Sequence, residues 1–283
     1  MALNNSLFRK LGFILLACCL LSACAQNIFH PNSRMWQNTP INLGYSYQNH
    51  FIKSHDDILL NFWQIHTPKA EPLGAVLYIH GNTNNISAHL AQVAWLLDAG
   101  YDVVMSDYRG FGASQGEIAL AESTKDLQQI MTWFLYQYDG QNTWLLGQSL
   151  GAALSAYVAG HDKTLNQAFN GVILDSGFSS FRAIGKDVLA RHWFTWAVQH
   201  PLSWFMPHGF DAKAHIASFA PTPLLILHSK EDVVVPYYHS EVLYQAAKEP
   251  KTLISYHGWH VRGFKINEVR EQVLAFMRTS ANR

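Results

Sequence analysis

The sequence predicts an α/β fold in which helices cover both faces of a mostly parallel sheet. Strand-like apolar runs alternate with segments of helical periodicity along most of the chain. The runs are continuously apolar, which is typical of strands buried on both faces. Of the 283 residues, 49% are hydrophobic and 14% are charged. A chain of this length and composition can bury a core of ordinary size, as one large domain or two small ones.

The first 23 residues are predicted to be a secretory signal peptide. Arg9 and Lys10 precede the uncharged run 11–23, which is too short to span a membrane and has the length of a signal-peptide core. The run ends in Leu21-Ser22-Ala23-Cys24, which resembles the lipobox of bacterial lipoproteins. The resemblance implies cleavage before Cys24 and lipid attachment to it. Ordinary cleavage with an incidental cysteine, or cleavage before Cys18, is the alternative.

Lipidation of Cys24 would place the protein in the cell envelope, attached to a membrane. Ala25 and Gln26 follow the cysteine, and the absence of Asp there resembles outer-membrane sorting, facing the periplasm, if the host is Gram-negative. All three cysteines lie in residues 1–24, so the mature chain is expected to lack disulfides. Residues 24–50 are polar and are predicted to form a tether.

The regular elements follow the tether. Residues 58–66 alternate loosely and predict an early antiparallel strand. Buried strands are predicted at 75–80, 101–108, 143–148, 171–175, 223–228 and 251–256. Helices are predicted at 87–99, 124–138, 150–160, 238–248 and 269–278. Residues 178–220 contain no clear strand and are rich in tryptophan and phenylalanine, which predicts a small helical cap over one end of the sheet.

A serine occupies the turn between a predicted strand and a predicted helix. Gly147-Gln148-Ser149-Leu150-Gly151 matches the pattern G-x-S-x-G. A serine on such a turn exposes its hydroxyl at the carboxyl edge of the sheet, and the flanking glycines permit the crowding. The backbone N–H of Leu150 then lies at a helix N-terminus, where it can stabilise an oxyanion. Ser149 is therefore the candidate nucleophile.

A serine nucleophile needs a base and an orienting acid. Two loops at strand ends offer them, namely 229–236 with Glu231 and Asp232, and 257–260 with His257 and His260. Asp175, at another strand end, is a further candidate acid. The order Ser, Asp, His along the chain is that of the α/β-hydrolases, which the sequence resembles from about residue 50 to its end.

This resemblance assigns the remaining site residues. Its acid loop, D-x-V-V-P-like, and its base loop, G-x-x-H-like, match at Asp232 and His260. The segment His80-Gly81-Asn82 resembles the oxyanion loop, so the N–H of Asn82 is expected to be the second oxyanion donor beside that of Leu150. The segment 107–114 resembles the D-x-R-G-x-G-x-S loop, in which Asp107 and Arg109 are expected to hold neighbouring loops in place.

The motifs look most like the Bem46-like and serine-aminopeptidase-like branch of the superfamily. That resemblance implies an α/β-hydrolase domain over 51–283, with the cap at about 178–220, that cleaves carboxylic esters or thioesters of acyl substrates, including lipids, through an acyl-enzyme. The alternatives are an amide hydrolase of aminopeptidase type, an acyltransferase, and a catalytically silent binding lipoprotein on the same fold.

Other classes of function have little support in the sequence. Lys and Arg number 20 and so do Asp and Glu, which leaves no basic excess for nucleic acid. Gly110-Phe111-Gly112 lacks the third glycine of a dinucleotide fingerprint, because Gln115 stands there. His192, His200 and His208 would not share one helix face, and two prolines interrupt the segment. Neither a metal nor a cofactor is predicted.

Overall fold

The computed structural model describes residues 34–191 and 193–281. The predicted signal peptide and Cys24 lie outside the described residues. Eight strands are present in the described chain: β1 Tyr47–Lys53, β2 Leu59–Ile65, β3 Ala75–Ile79, β4 Asp102–Ser106, β5 Thr143–Gln148, β6 Gly171–Asp175, β7 Leu224–Ser229 and β8 Lys251–Tyr256. They form one sheet in the order β1-β2-β4-β3-β5-β6-β7-β8. Strand β2 pairs antiparallel with β1 and β4, and every other pair is parallel.

Ten α-helices connect and cover these strands in the described chain. They are α1 Ile86–Asp98, α2 Leu120–Gln137, α3 Leu150–His161, α4 Lys163–Gln167, α5 Phe181–Ala190, α6 Trp193–Trp196, α7 Gln199–Ser203, α8 Ala212–His215, α9 Tyr238–Ala246 and α10 Asn267–Ala281. Short 3₁₀ turns lie at Pro40–Leu43, Ile216–Phe219 and Gly263–Lys265. Apolar residues of α2, α3 and α9 pack in the core on one sheet face, and those of α1 and α10 in the core on the other. The predicted fold class is confirmed.

The folded part of the chain begins earlier than the sequence suggests. Strand β1 lies across the predicted boundary at residue 51, and Trp36 packs edge-on against Trp63 with ring centroids 5.1 Å apart. The N–H of Gln37 donates to Ser87 Oγ at 2.8 Å. Strand β1 is an edge strand whose side chains are exposed or half-buried, so it lacks the apolar signature that marks the central strands. The predicted end of the tether at residue 50 is therefore too late in the chain, because Trp36 and Gln37 already contact the domain.

The cap between β6 and β7 consists of helices α5 to α8, as predicted. Phe181, at the start of α5, is buried against Phe178, with ring centroids 4.9 Å apart. Most of the cap's other aromatic side chains face outward, and Trp193 is 89% exposed. The cap therefore presents a narrow apolar face to the sheet and a broad aromatic face to solvent.

Candidate active site

Ser149 lies on the sharp turn between β5 and α3. Its backbone has φ 54° and ψ −117°, a sparsely populated conformation that costs of order 1–3 kcal/mol. Its N–H donates to the carbonyl of Asp175, and its carbonyl accepts from the N–H groups of Ala152 and Ala153. These bonds hold the strained turn and direct the side chain to the carboxyl edge of the sheet.

Two glycines make this turn sterically possible. A Cβ on Gly151 would lie 2.1 Å from the carbonyl oxygen of Ile79, at the end of β3. A Cβ on Gly147 would lie 2.6 Å from the carbonyl oxygen of Gly151. Because both obstacles are backbone atoms, no side-chain adjustment would relieve the overlap. The G-x-S-x-G pattern is thus explained by close packing of α3 against β3 and β5.

The structure brings Ser149, His260 and Asp232 into one chain of hydrogen bonds. Ser149 Oγ lies 2.9 Å from His260 Nε2, and His260 Nδ1 lies 2.6 Å from Asp232 Oδ2. A carboxylate at Nδ1 fixes the proton there, which leaves Nε2 to accept the serine proton. The arrangement can deprotonate the serine hydroxyl and stabilise the imidazolium that results.

Asp232 is held in place by the loop that follows β7. Its Oδ1 accepts hydrogen bonds of 2.8 Å from the N–H groups of both Val234 and Val235. Burial by itself would raise the pKa of Asp232, but the hydrogen bonds from His228, His260 and the N–H of Val235 outweigh burial and hold the pKa well below its usual range. The carboxylate is therefore ionised throughout the neutral range.

His228 contacts the carboxylate of Asp232 and stabilises its ionised form. This histidine was not identified from the sequence. Its Nε2 lies 2.8 Å from the carbonyl of Val235, so Nε2 carries the proton, and 3.4 Å from Asp232 Oδ2. The Nδ1 atom contacts Ser240 Oγ. The only signal in the sequence is a histidine that ends an otherwise apolar strand.

The competing acids and base have other partners. Glu231 Oε1 lies 2.9 Å from His257 Nδ1, and both side chains are exposed. Asp175 is fully buried and accepts from Gln148 Nε2 at 2.8 Å and from Tyr256 OH at 3.2 Å. Burial raises the pKa of Asp175 despite these bonds. These contacts fit a structural role for Asp175 beneath the turn.

The segment after β3 lies against the serine. A Cβ on Gly81 would approach the Cβ of Ser149 to 3.5 Å, so this segment borders Ser149 directly. Asn82 and Leu150, the two predicted oxyanion donors, line the same cavity as Ser149. Beneath them, Tyr108 OH donates to the carbonyl of His80 at 2.7 Å.

The loop 107–114 braces its neighbours, as predicted. Asp107 Oδ1 accepts from the N–H of Ile86 at 2.9 Å and so fixes the start of α1. Arg109 is buried and contacts Asp126 on α2 through Nε at 2.6 Å and Asp56 through Nη1 at 2.9 Å. These side chains thus connect the loop to α1, to α2 and to the turn between β1 and β2.

A cavity of about 330 Å³ opens beside Ser149, between the sheet edge and the cap. Its volume is at the small end of the range for ligand pockets. The apolar side chains that line it include Phe178, Phe181, Ile184, Val188, Met206 and Val235. Of the cap's aromatic cluster at 193–205, none lines this cavity. The apolar lining comes instead from α5 and the residues just before it, together with Leu150, Met206 and the loop that follows β7.

Within the described ranges, one group of side chains has the spacing of metal ligands. Atoms of His55, Asp56 and Glu122 lie within 4.8 Å of one another. Asp56 is already paired with Arg109, and Glu122 with Lys125 at 3.0 Å.

Within the described residues, 34–191 and 193–281, no helix is both long and apolar enough to cross a membrane.

Comparison with known proteins agrees with this architecture. Residues 74–191 match the family model described as the alpha/beta hydrolase fold. The chain is 32% identical to the protein YfhR of Escherichia coli K12, over 98% of this chain and 97% of that protein. It is 25% identical to the lysophosphatidylserine lipase ABHD12 of Xenopus tropicalis, over 78% of this chain and 56% of that protein.

Solved structures give the same fold. An esterase of Pyrococcus furiosus superposes with a TM-score of 0.73 at 19% identity, covering 89% of this chain and 98% of the esterase. Est1E of Butyrivibrio proteoclasticus, solved with ferulic acid, superposes with a TM-score of 0.61 at 17% identity, covering 81% and 99% of the two chains. With the sheet order, the sharp strand-to-helix turn at Ser149 and the similarity to YfhR over nearly its whole length, the chain belongs to the α/β-hydrolase superfamily as a relative of YfhR.

Proposed function

We propose that this protein is a serine hydrolase that cleaves carboxylic esters or thioesters of acyl substrates. The observation that carries the proposal is the unbroken chain of contacts from Ser149 through His260 to Asp232, at 2.9 and 2.6 Å, beside an apolar cavity. Esterases share the fold, and relatives include a lipase. The motifs resemble those of the Bem46-like and serine-aminopeptidase-like branch, and this resemblance supports the same class of reaction.

The reaction follows from this arrangement in two halves. Ser149 Oγ attacks the substrate carbonyl carbon while His260 Nε2 accepts the hydroxyl proton, and the N–H groups of Asn82 and Leu150 stabilise the tetrahedral oxyanion. The carbon–oxygen or carbon–sulfur bond then breaks, and His260 returns the proton to the leaving group. Water, deprotonated by His260, then attacks the acyl carbon. The bond between that carbon and Ser149 Oγ breaks, His260 returns the proton to Oγ, and the acid leaves. Asp232 stays ionised throughout.

The cavity supports an acyl group rather than an amino-terminal residue as the part of the substrate that is buried. An aminopeptidase needs carboxylates that hold a substrate ammonium group. Asp187 and Asp211 are the acidic residues of the cap, but Asp187 accepts from Tyr238 OH at 2.7 Å and Asp211 accepts from the N–H of Phe181 at 3.0 Å. Neither lines the cavity beside Ser149.

The first experiment measures hydrolysis of p-nitrophenyl esters from acetyl to palmitoyl by the wild-type protein and by Ser149→Ala. We expect turnover that the variant loses, with a preference for acyl chains that a cavity of about 330 Å³ can hold. Labelling of Ser149 by a fluorophosphonate provides a second readout. A folded wild-type protein that neither turns over esters nor takes the label would be a silent binding protein. Faster turnover of an amino-acyl arylamide would favour the peptidase.

We further propose that the mature protein is anchored to a membrane of the cell envelope through lipidated Cys24. The lipobox-like residues 21–24 support this, together with the short apolar run before them. In a Gram-negative host the expected place is the outer membrane, facing the periplasm. Metabolic labelling with a radioactive fatty acid should mark the wild-type protein and leave Cys24→Ser unlabelled; equal labelling of both would contradict the proposal.

A further inference from the structure

Among the described residues that line the cavity beside Ser149, one carries a charged side chain. The lining is otherwise apolar or uncharged, and the exception is Arg191, which directly follows α5. An apolar pocket with one or a few well-placed polar groups typically uses the apolar walls for affinity and the polar groups for orientation. Arg191 therefore stands where it can select among substrates.

The guanidinium of Arg191 keeps most of its binding capacity. Its Nη2 donates to the carbonyl of Val234, which ties it to the loop that carries Asp232. A guanidinium has five N–H donors, and this contact uses one of them. Across residues 34–191 and 193–281 no carboxylate forms an ion pair with Arg191. Asp187, one helical turn earlier, is engaged by Tyr238 OH and by His239 Nε2 at 2.9 Å.

An exposed cation at the rim of an apolar pocket matches an amphiphilic ligand. The acyl chain would lie against the walls formed by Phe178, Phe181 and Ile184. The ester would reach Ser149, which lines the same cavity, and the alcohol part would project to the rim. There the planar guanidinium can bind a carboxylate or a phosphate with two parallel hydrogen bonds.

We propose that Arg191 is a specificity-determining residue that binds the anionic group of the substrate, so that the preferred substrates are acyl esters whose alcohol part carries a phosphate or a carboxylate. This rests on the proposed hydrolase function and defines its substrate class. Arg191 contacts the alcohol part of the substrate and takes no part in proton transfer.

The test compares two matched pairs of esters with one acyl chain. The carboxylate pair is the acyl ester of 4-hydroxybenzoate and that of its methyl ester. The phosphate pair is monoacylglycerol phosphate and monoacylglycerol. We expect the wild-type protein to prefer the anionic member of at least one pair by about ten- to a hundredfold in kcat/KM, as is typical of hydrogen bonds to charged groups. The pair that shows the preference identifies the anion.

Three variants separate recognition from structure. In Arg191→Gln a side-chain donor to Val234 remains while the charge is lost, so the preference should fall to about one, mainly through a higher KM for the anionic ester. Arg191→Lys keeps the positive charge but loses the two parallel N–H donors of the guanidinium, so it should show an intermediate preference. Arg182→Gln is the matched control, because Arg182 lies on α5, the helix that Arg191 follows, but packs over Trp204 and does not line the cavity. It should keep the wild-type preference.

The possible outcomes of this test distinguish the inference about Arg191 from the hydrolase proposal. Equal kcat/KM for both members of both pairs in the wild-type protein would overturn the inference while leaving the hydrolase intact. An equal loss on charged and neutral esters in Arg191→Gln would show that Arg191 acts only by holding the Val234 loop. If the wild-type protein hydrolyses none of the four esters and none of the p-nitrophenyl esters, the hydrolase proposal and this inference are overturned together. Added salt should weaken a genuine preference.

Discussion

Replacing Asp232 with asparagine tests the central carboxylate at nearly constant shape. The N–H groups of Val234 and Val235 both donate to Oδ1, so the amide oxygen of an asparagine must occupy that position. Its NH₂ group then faces His260 Nδ1, where Oδ2 now lies at 2.6 Å. The imidazole must present a lone pair at Nδ1 and carry its proton on Nε2, facing Ser149. It can then no longer accept the serine proton.

The expected cost is large because the tautomer is wrong rather than the position. A loss of about 10⁴-fold in kcat is typical of this change in a serine triad, which is about 5 kcal/mol of transition-state stabilisation. The assay is single-substrate kinetics on the best p-nitrophenyl ester, with circular dichroism to verify folding. Activity of Asp232→Asn within tenfold of wild type would refute the assignment of Asp232 as the orienting acid.

Asp175→Asn is the matched control. Its amide oxygen can accept from Gln148, and its NH₂ group can donate to Tyr256 OH or to the Ser176 hydroxyl, both of which can turn to accept. We expect kcat within about tenfold of wild type. If instead Asp175→Asn loses as much activity as Asp232→Asn, the two carboxylates act together and the triad as drawn is incomplete.

Three further outcomes follow from the structure. Gly151→Ala should lower the free energy of unfolding by about 1–3 kcal/mol or more and reduce ester turnover, because the new Cβ would meet the carbonyl of Ile79; a urea titration matching wild type would contradict this. Arg109→Ala should cost about 3–5 kcal/mol, since it strands the buried Asp126, and Arg109→Lys should cost less; thermal melts of both variants decide it. Because the folded-state pKa of Asp232 is depressed, its contribution to stability is present above the unfolded-state pKa of about 3.9 and is lost as the pH falls below it, so unfolding measured from pH 7 to pH 2 should show a shallower acid decline in Asp232→Asn than in wild type.

The central fold was predictable because its strands carry a strong and simple signal. Strands β3 to β7 are buried on both faces and read as continuous apolar runs. Strand β1 was missed because it is paired along one edge only and all of its side chains are exposed or half-buried, so it lacks an apolar run. Helix α4 was also missed, since five residues are too few to show a helical period.

The candidate site was predictable where a residue's role depends on its place at a strand end. Ser149, Asp232 and His260 were identified in this way, and the structure places them in contact. His228 and Arg191 were not, because their positions depend on partners distant in sequence: His228 contacts the carbonyl of Val235, and Arg191 lines a cavity formed by separate segments. No local pattern encodes such neighbours.

The packing of the chain upstream of β1 limits how far the domain can travel from an anchored Cys24. The carbonyl of Met35 accepts from Asn85 Nδ2 at 3.0 Å, so the chain is attached to the domain from that residue onward. Eleven residue steps separate Cys24 from Met35, and a fully extended chain spans at most about 40 Å over that number. A tether running to residue 50 would have allowed more than twice that distance, about 94 Å. A lipidated protein would therefore be confined to a thin layer above its own membrane, where its substrates must come from that leaflet or diffuse close to it.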